Sequence, residues 1–130
     1  MQYFINSIKS TVDLAYQVAM NAKINDVLFL EGSVGSGKST FVKHFLRYFE
    51  VEYVGSPTFG LINEYKVSDD LKIVHIDLYQ SKSILKELQD YLDNSIILIE
   101  WPNAEVRSFF PKATNLHFDF DSKYRTCTIS

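Results

Sequence analysis

Apolar positions along the chain follow two periods, and the switch between them divides it into elements. Leu14, Val18 and Ala22, with Ala15 and Ala19 beside them, recur at helical spacing. Ser10-Thr11-Val12-Asp13 ahead of them has the form of a helix N-cap with an acid three residues on. Asn25-Asp26 breaks that pattern, and Val27-Leu28-Phe29-Leu30 follows as a continuous apolar run, the mark of a strand buried on both faces. From Lys38 onward, Phe41, Phe45, Leu46 and Phe49 describe an amphipathic helix. Ser56-Pro57-Thr58 punctuates the chain, because proline fixes φ and pushes its predecessor towards extended geometry. Residues 59–67 and 71–77 read as strands joined by the turn Ser68-Asp69-Asp70. Residues 81–92 return to helical spacing through Ile84, Leu85, Leu88 and Leu92, and Asn94 stops them. Residues 95–100 form a strongly apolar strand. The tail holds two more strands, 115–119 and 124–129, hinged at Asp121-Ser122-Lys123.

Strands that alternate with helices, each buried strand a continuous apolar run, predict an α/β sheet with helices on its faces. The short turn between 59–67 and 71–77 makes that pair antiparallel. The sheet is therefore expected to be mixed, with a mostly parallel core, in one domain spanning residues 1–130. No repeat or low-complexity tract interrupts it.

The stretch joining the first buried strand to the second helix carries the chemistry. Gly32-Ser33-Val34-Gly35-Ser36-Gly37-Lys38-Ser39 fits G-x-x-x-x-G-K-[ST] at every required position, and Thr40 follows. The glycines open backbone conformations in which successive N–H groups curl round an anionic phosphate. The helix dipole that begins at the loop favours negative charge there. Lys38 is placed to reach the β- and γ-phosphates, and the Ser39 hydroxyl to complete a Mg²⁺ shell. The plain alternative, a Gly/Ser turn, loses ground because the motif lies between a predicted strand and a predicted helix. The expected architecture is thus P-loop NTPase-like.

Such a loop needs an acid at the end of a nearby buried strand. Glu100 follows four apolar residues and Asp77 ends the run 71–77. Glu100 is assigned to the magnesium and Asp77 to the attacking water or the metal's water shell, with the reverse pairing also open. Thr58 is placed either in a loop that senses the γ-phosphate or in a simple proline turn, the turn being favoured on the residues alone. Trp101 packs by the nucleotide or fills the core. His75, two residues before Asp77, reads as a hydrogen-bonded structural histidine, and Cys127 as a buried thiol.

Composition sharpens this picture. The chain has 130 residues, 46% hydrophobic, with ten Phe and eight Tyr, enough for a real core without staples. A net charge of −3 makes it a poor holder of nucleic acid by itself, since backbone binding needs clustered Lys and Arg. A single cysteine excludes an intrachain disulfide and cysteine metal spacing, and suits a reducing, cytoplasmic setting. The N-terminal residues lack the basic and apolar regions of a signal peptide, and no apolar run approaches the length of a bilayer span.

Four segments in order, GSVGSGKST, then SPTFGLINEY at 56–65, HIDLY at 75–79 and LIEWP at 98–102, resemble the TsaE (YjeE) family of small bacterial ATPases needed to make threonylcarbamoyladenosine in tRNA. The resemblance covers the whole chain. It implies ATP and Mg²⁺ as cofactors, Ser39 and Glu100 as metal ligands, and residues 34–39 as the phosphate grip. It further implies Asp77 as the acid needed for hydrolysis and Thr58 in a switch segment. Thr11 would lie near the base and Arg125 on the nucleotide's other side. The implied partners are the TsaB–TsaD pair, with tRNA met indirectly through them, and an ATP cycle that is weak alone and partner-controlled. The family's usual DLYR is departed from at Gln80, which cannot supply an arginine's charge. Two other readings stay in play. One is a small P-loop kinase of a metabolite, disfavoured by the lack of an arginine-rich lid segment. The other is a clamp gated by nucleotide without hydrolysis.

Overall fold

The computed structural model describes residues 1–33, 35–55, 62–79, 83–121 and 123–130, and in it the first helix starts earlier than its apolar spacing suggests. Ser7 Oγ accepts from the Ser10 N–H at 3.1 Å, and Ser10 Oγ accepts from the Ser7 N–H at 3.1 Å. This reciprocal box makes Ser7 the cap, so α1 runs Ile8–Asn21 after a short strand β1, Gln2–Phe4. Ser10 is therefore the third helical residue and not the cap. Asp13, expected as the acid of the box, instead pairs with Lys9 one turn back at 3.0 Å.

The remaining elements are β2 (Val27–Gly32), α2 (Lys38–Tyr48), β3 (Ile62–Ser68), β4 (Leu71–Asp77), α3 (Leu85–Leu88), β5 (Ser95–Glu100), α4 (Ala104–Phe109), β6 (Thr114–Phe120) and β7 (Arg125–Ile129). The expected helix over 81–92 is only one α turn followed by a 3₁₀ turn, Gln89–Tyr91, while residues 80–82 lie outside the described residues. Ile84 and Leu88 are buried one turn apart, so a single turn suffices to anchor the segment. Apolar spacing specifies which residues must meet the core, not how many turns carry them there. Of the expected strand over 59–67, residues 62–67 lie in β3 and the rest are outside the described residues.

The described strands form one seven-stranded sheet in the order β1-β7-β6-β2-β5-β4-β3. The expected mixed sheet is present. Pairs β6/β2, β2/β5 and β5/β4 are parallel, and β3 returns antiparallel on β4. The tail hairpin, β6 with β7, adds an antiparallel wing to which β1 attaches, pairing Gln2 with Thr128. Asp121 Oδ1 accepts from the N–H groups of Lys123 and Tyr124 at 2.8 and 2.7 Å and so closes that hairpin.

Continuous apolar strands are required because both faces are covered. Leu28, Leu30, Leu98 and Phe118 pack with Phe41 and Phe45 of α2 and Leu14 of α1. Phe29, Val74, Ile76, Ile97 and Ile99 pack on the other face with Leu88 and Val106. Cys127 is buried on β7 with no disulfide, and burial pushes its thiol up to about 12.

Candidate active site

The C-terminal ends of β2, β4 and β5 come to one edge of the sheet, where parallel α/β folds place ligands. Gly32 ends β2 opposite Phe118. The chain then turns through Gly35 at φ +85° and Gly37 at φ +104°, conformations that cost a side chain about 1–2 kcal/mol. Gly37 caps α2, its carbonyl accepting from the Phe41 N–H at 2.9 Å.

The glycines are not equivalent. A Cβ on Gly32 would lie 2.6 Å from both Phe118 Cβ and Phe118 O, and 2.9 Å from Ser36 Oγ. One on Gly35 would meet nothing within 4 Å. Gly32→Ala is therefore expected to destabilise the fold by about 1–3 kcal/mol or more, because backbone cannot swing away as a side chain can. Gly35→Ala should cost only its backbone strain, about 1 kcal/mol. Urea unfolding of the two variants checks this, and equal midpoints would refute it.

Lys38, at the start of α2, is buried although charged. Its Nζ donates to Gly32 O at 2.9 Å, lies 3.5 Å from Glu100 Oε1, and stands 4.2 Å over the Trp101 ring. Glu100 is buried as well, with Oε2 2.5 Å from His75 Nε2. Burial alone would raise the Glu100 carboxyl. The hydrogen bond and charge of His75 and the charge of Lys38 outweigh it, leaving the group below the ordinary carboxylate range. Asp77 sits directly beside Glu100 in the β4/β5 register. Its Oδ1 accepts from the Tyr79 N–H at 2.9 Å.

These groups line a cleft of about 800 Å³. Lys38, Ser39, Thr40, Gly35 and Gly37 form its floor, with Asp77 and Glu100 at one side and Thr11 and Arg125 also in its wall. Thr11 Oγ1 donates to Ser7 O at 3.2 Å, and Arg125 Nε to Gly35 O at 2.8 Å, tying the tail to the loop. Ser36 differs: it is fully buried, and its Oγ has no hydrogen-bond partner among the described residues. Val34, Thr58 and Gln80 lie outside the described residues. Ile5, Asn6 and Ile8 complete the wall. Nothing in their spacing announces this, because it follows from β1 joining the last strand. Tyr79 and Trp101 both line the cleft, their rings tilted against each other with centroids 5.3 Å apart, so Trp101 is a cleft residue. Trp101 adopts φ +56° at the end of β5, and its N–H donates to Leu30 O at 3.0 Å.

The donors suit particular ligands. Loop N–H groups at the start of α2 suit a phosphate chain, and the Ser39 hydroxyl with the Glu100 carboxylate is a hard-oxygen set suited to Mg²⁺.

The family model for "Threonylcarbamoyl adenosine biosynthesis protein TsaE" matches residues 5–127. The chain belongs to the TsaE family. The tRNA threonylcarbamoyladenosine biosynthesis protein TsaE of Rickettsia conorii is 35% identical over 132 residues, covering 96% of this chain and 75% of that one. Its namesake in Bacillus subtilis is 35% identical over 97 residues, covering 72% of this chain and 61% of the other. The crystal structure of Bacillus subtilis YdiB superposes with a TM-score of 0.72 at 24% identity, over 99% of this chain and 83% of that one, a likeness of fold. As a TsaE-family protein the chain is P-loop NTPase-like. No helix among its described residues is long and apolar enough to cross a membrane.

Proposed function

We propose that this chain is a Mg²⁺-dependent ATPase that serves tRNA threonylcarbamoyladenosine synthesis together with the TsaB–TsaD complex. The observation that carries the reading is the convergence of Lys38, Ser39, Asp77 and Glu100 on one cleft beside the glycine loop. The loop N–H groups and Lys38 bind the phosphate chain. Ser39 and Glu100 are the metal ligands, and bound Mg²⁺ would supply charge to offset that developing on the phosphate oxygens.

Between the two acids, burial supports giving the metal to Glu100 and the water to Asp77. Glu100 is fixed by Lys38 and His75, so it can only accept. Asp77 is more open, and its second oxygen has no protein partner among the described residues, so it is the group that orients and deprotonates water. Thr11 and Arg125 bracket the nucleotide beside Gly35, Ser36, Gly37 and Thr40, and the family resemblance adds Val34 and Thr58 as nucleotide-binding residues. The kinase reading is disfavoured because the chain after Glu100 goes into α4, β6 and β7, which cover and extend the sheet.

The test is phosphate release from Mg²⁺-ATP by the purified chain, alone and with TsaB, TsaD and tRNA. A low rate that rises when the pair is added is expected. Absence of phosphate in every mixture would sink the ATPase reading. Adenosine over guanosine nucleotides is the expected preference.

A further inference from the structure

His75 is fully buried on β4 and takes no part in the phosphate grip. Yet its Nε2 lies 2.5 Å from Glu100 Oε2, across the β4/β5 pair, and its Nδ1 has no hydrogen-bond partner among the described residues. At that distance the carboxylate oxygen is the acceptor, so the ring nitrogen facing it carries the proton.

The consequence is directional. With Oε2 turned back to His75 inside the sheet, Oε1 alone points towards Lys38 and the cleft, 3.5 Å from Nζ. We infer that His75 is a positioning residue that holds Glu100 so that it offers a cation one oxygen and never two. This inference rests on the reading of Ser39 and Glu100 as the magnesium ligands. A one-oxygen carboxylate suits Mg²⁺, which keeps a tight octahedron with several waters. Ca²⁺ takes more oxygens and accepts bidentate carboxylates. His75 thereby selects for the smaller ion.

The test uses the full chain and a fluorescent ATP analogue, whose affinity is titrated with Mg²⁺ and with Ca²⁺. Three proteins are compared: native, His75→Gln, whose amide can replace the Nε2 donor, and His75→Leu, which cannot donate. His75→Leu should raise the half-saturating Mg²⁺ by about 10- to 100-fold. It should also move the preference towards Ca²⁺, while binding in EDTA stays native. His75→Gln should stay near native. A Leu variant with native Mg²⁺ response and native Mg²⁺/Ca²⁺ preference overturns the inference alone. If the native chain binds the analogue equally with and without Mg²⁺, the magnesium reading fails and the inference falls with it. Should His75→Leu not fold, ¹⁵N NMR of native His75 decides: a proton on Nε2 supports the role, and a proton on Nδ1 alone removes it.

Discussion

Asp77→Ala is expected to slow phosphate release by about 100- to 10,000-fold while ATP binding is kept. The side chain stands at the end of β4, level with Glu100, in the wall of the cleft. Among the described residues it makes one hydrogen bond, accepted from the Tyr79 N–H, so its loss disturbs little of the local structure. Removing it deletes the carboxylate proposed to take a proton from water, whereas the loop, Lys38, Ser39 and Glu100 are left in place. Equilibrium binding of ATP and single-turnover phosphate release, measured on the same preparation, separate the two effects. The variant also discriminates between readings. If it binds ATP and supports threonylcarbamoyladenosine synthesis with TsaB, TsaD and tRNA, hydrolysis is dispensable and the chain is a nucleotide-gated clamp. If it binds and the modification stops, turnover is the function.

Lys38→Met should have the second largest effect, on two observables. Hydrogen bonds to charged groups contribute about 1.5–3 kcal/mol, so ATP affinity should fall by roughly 10- to 100-fold. The second observable is acid stability. Glu100 titrates below the ordinary range in the fold, its burial being outweighed by His75 and Lys38. A folded pKa below the unfolded one contributes stability above the unfolded value, about 4.3, and that contribution is lost as pH falls through the folded value. Without Lys38, burial is opposed by His75 alone and the folded value rises. The variant then holds less of this stability at neutral pH, and loses what remains at a higher pH than the native chain. Urea unfolding midpoints across about pH 3 to 7 reveal this as curves that diverge. Parallel native and variant curves would mean that the 3.5 Å Lys38–Glu100 pair contributes nothing.

Much of this was legible because it is local. The glycine loop and the helix it opens depend on residues within one turn of each other, whereas the cap of α1 was read at Ser10 and lies at Ser7, and the cap of α4 at Asn103 came with little apolar signal. The short helix α4 was missed for that reason: Pro102 and Asn103 announce a start, but Val106 is its single buried residue, too few to show a period. Strand β1 is three residues long, below the length at which alternation can be read.

The loop, the strands that frame it and the two acids at strand ends are written in the residues alone, because period, turn residues and motif spacing act through neighbouring positions. Which acid keeps an oxygen without a partner among the described residues follows from the three-dimensional arrangement. That depends on the β4/β5 register, which sets Asp77 level with Glu100, and on burial, which gives Glu100 to Lys38 and His75. It also decided that Arg125, 90 residues from Gly35, reaches the loop, since the last strand lies beside the first. Pairing between distant strands is fixed by mutual packing of whole faces, a property that no short stretch of chain contains.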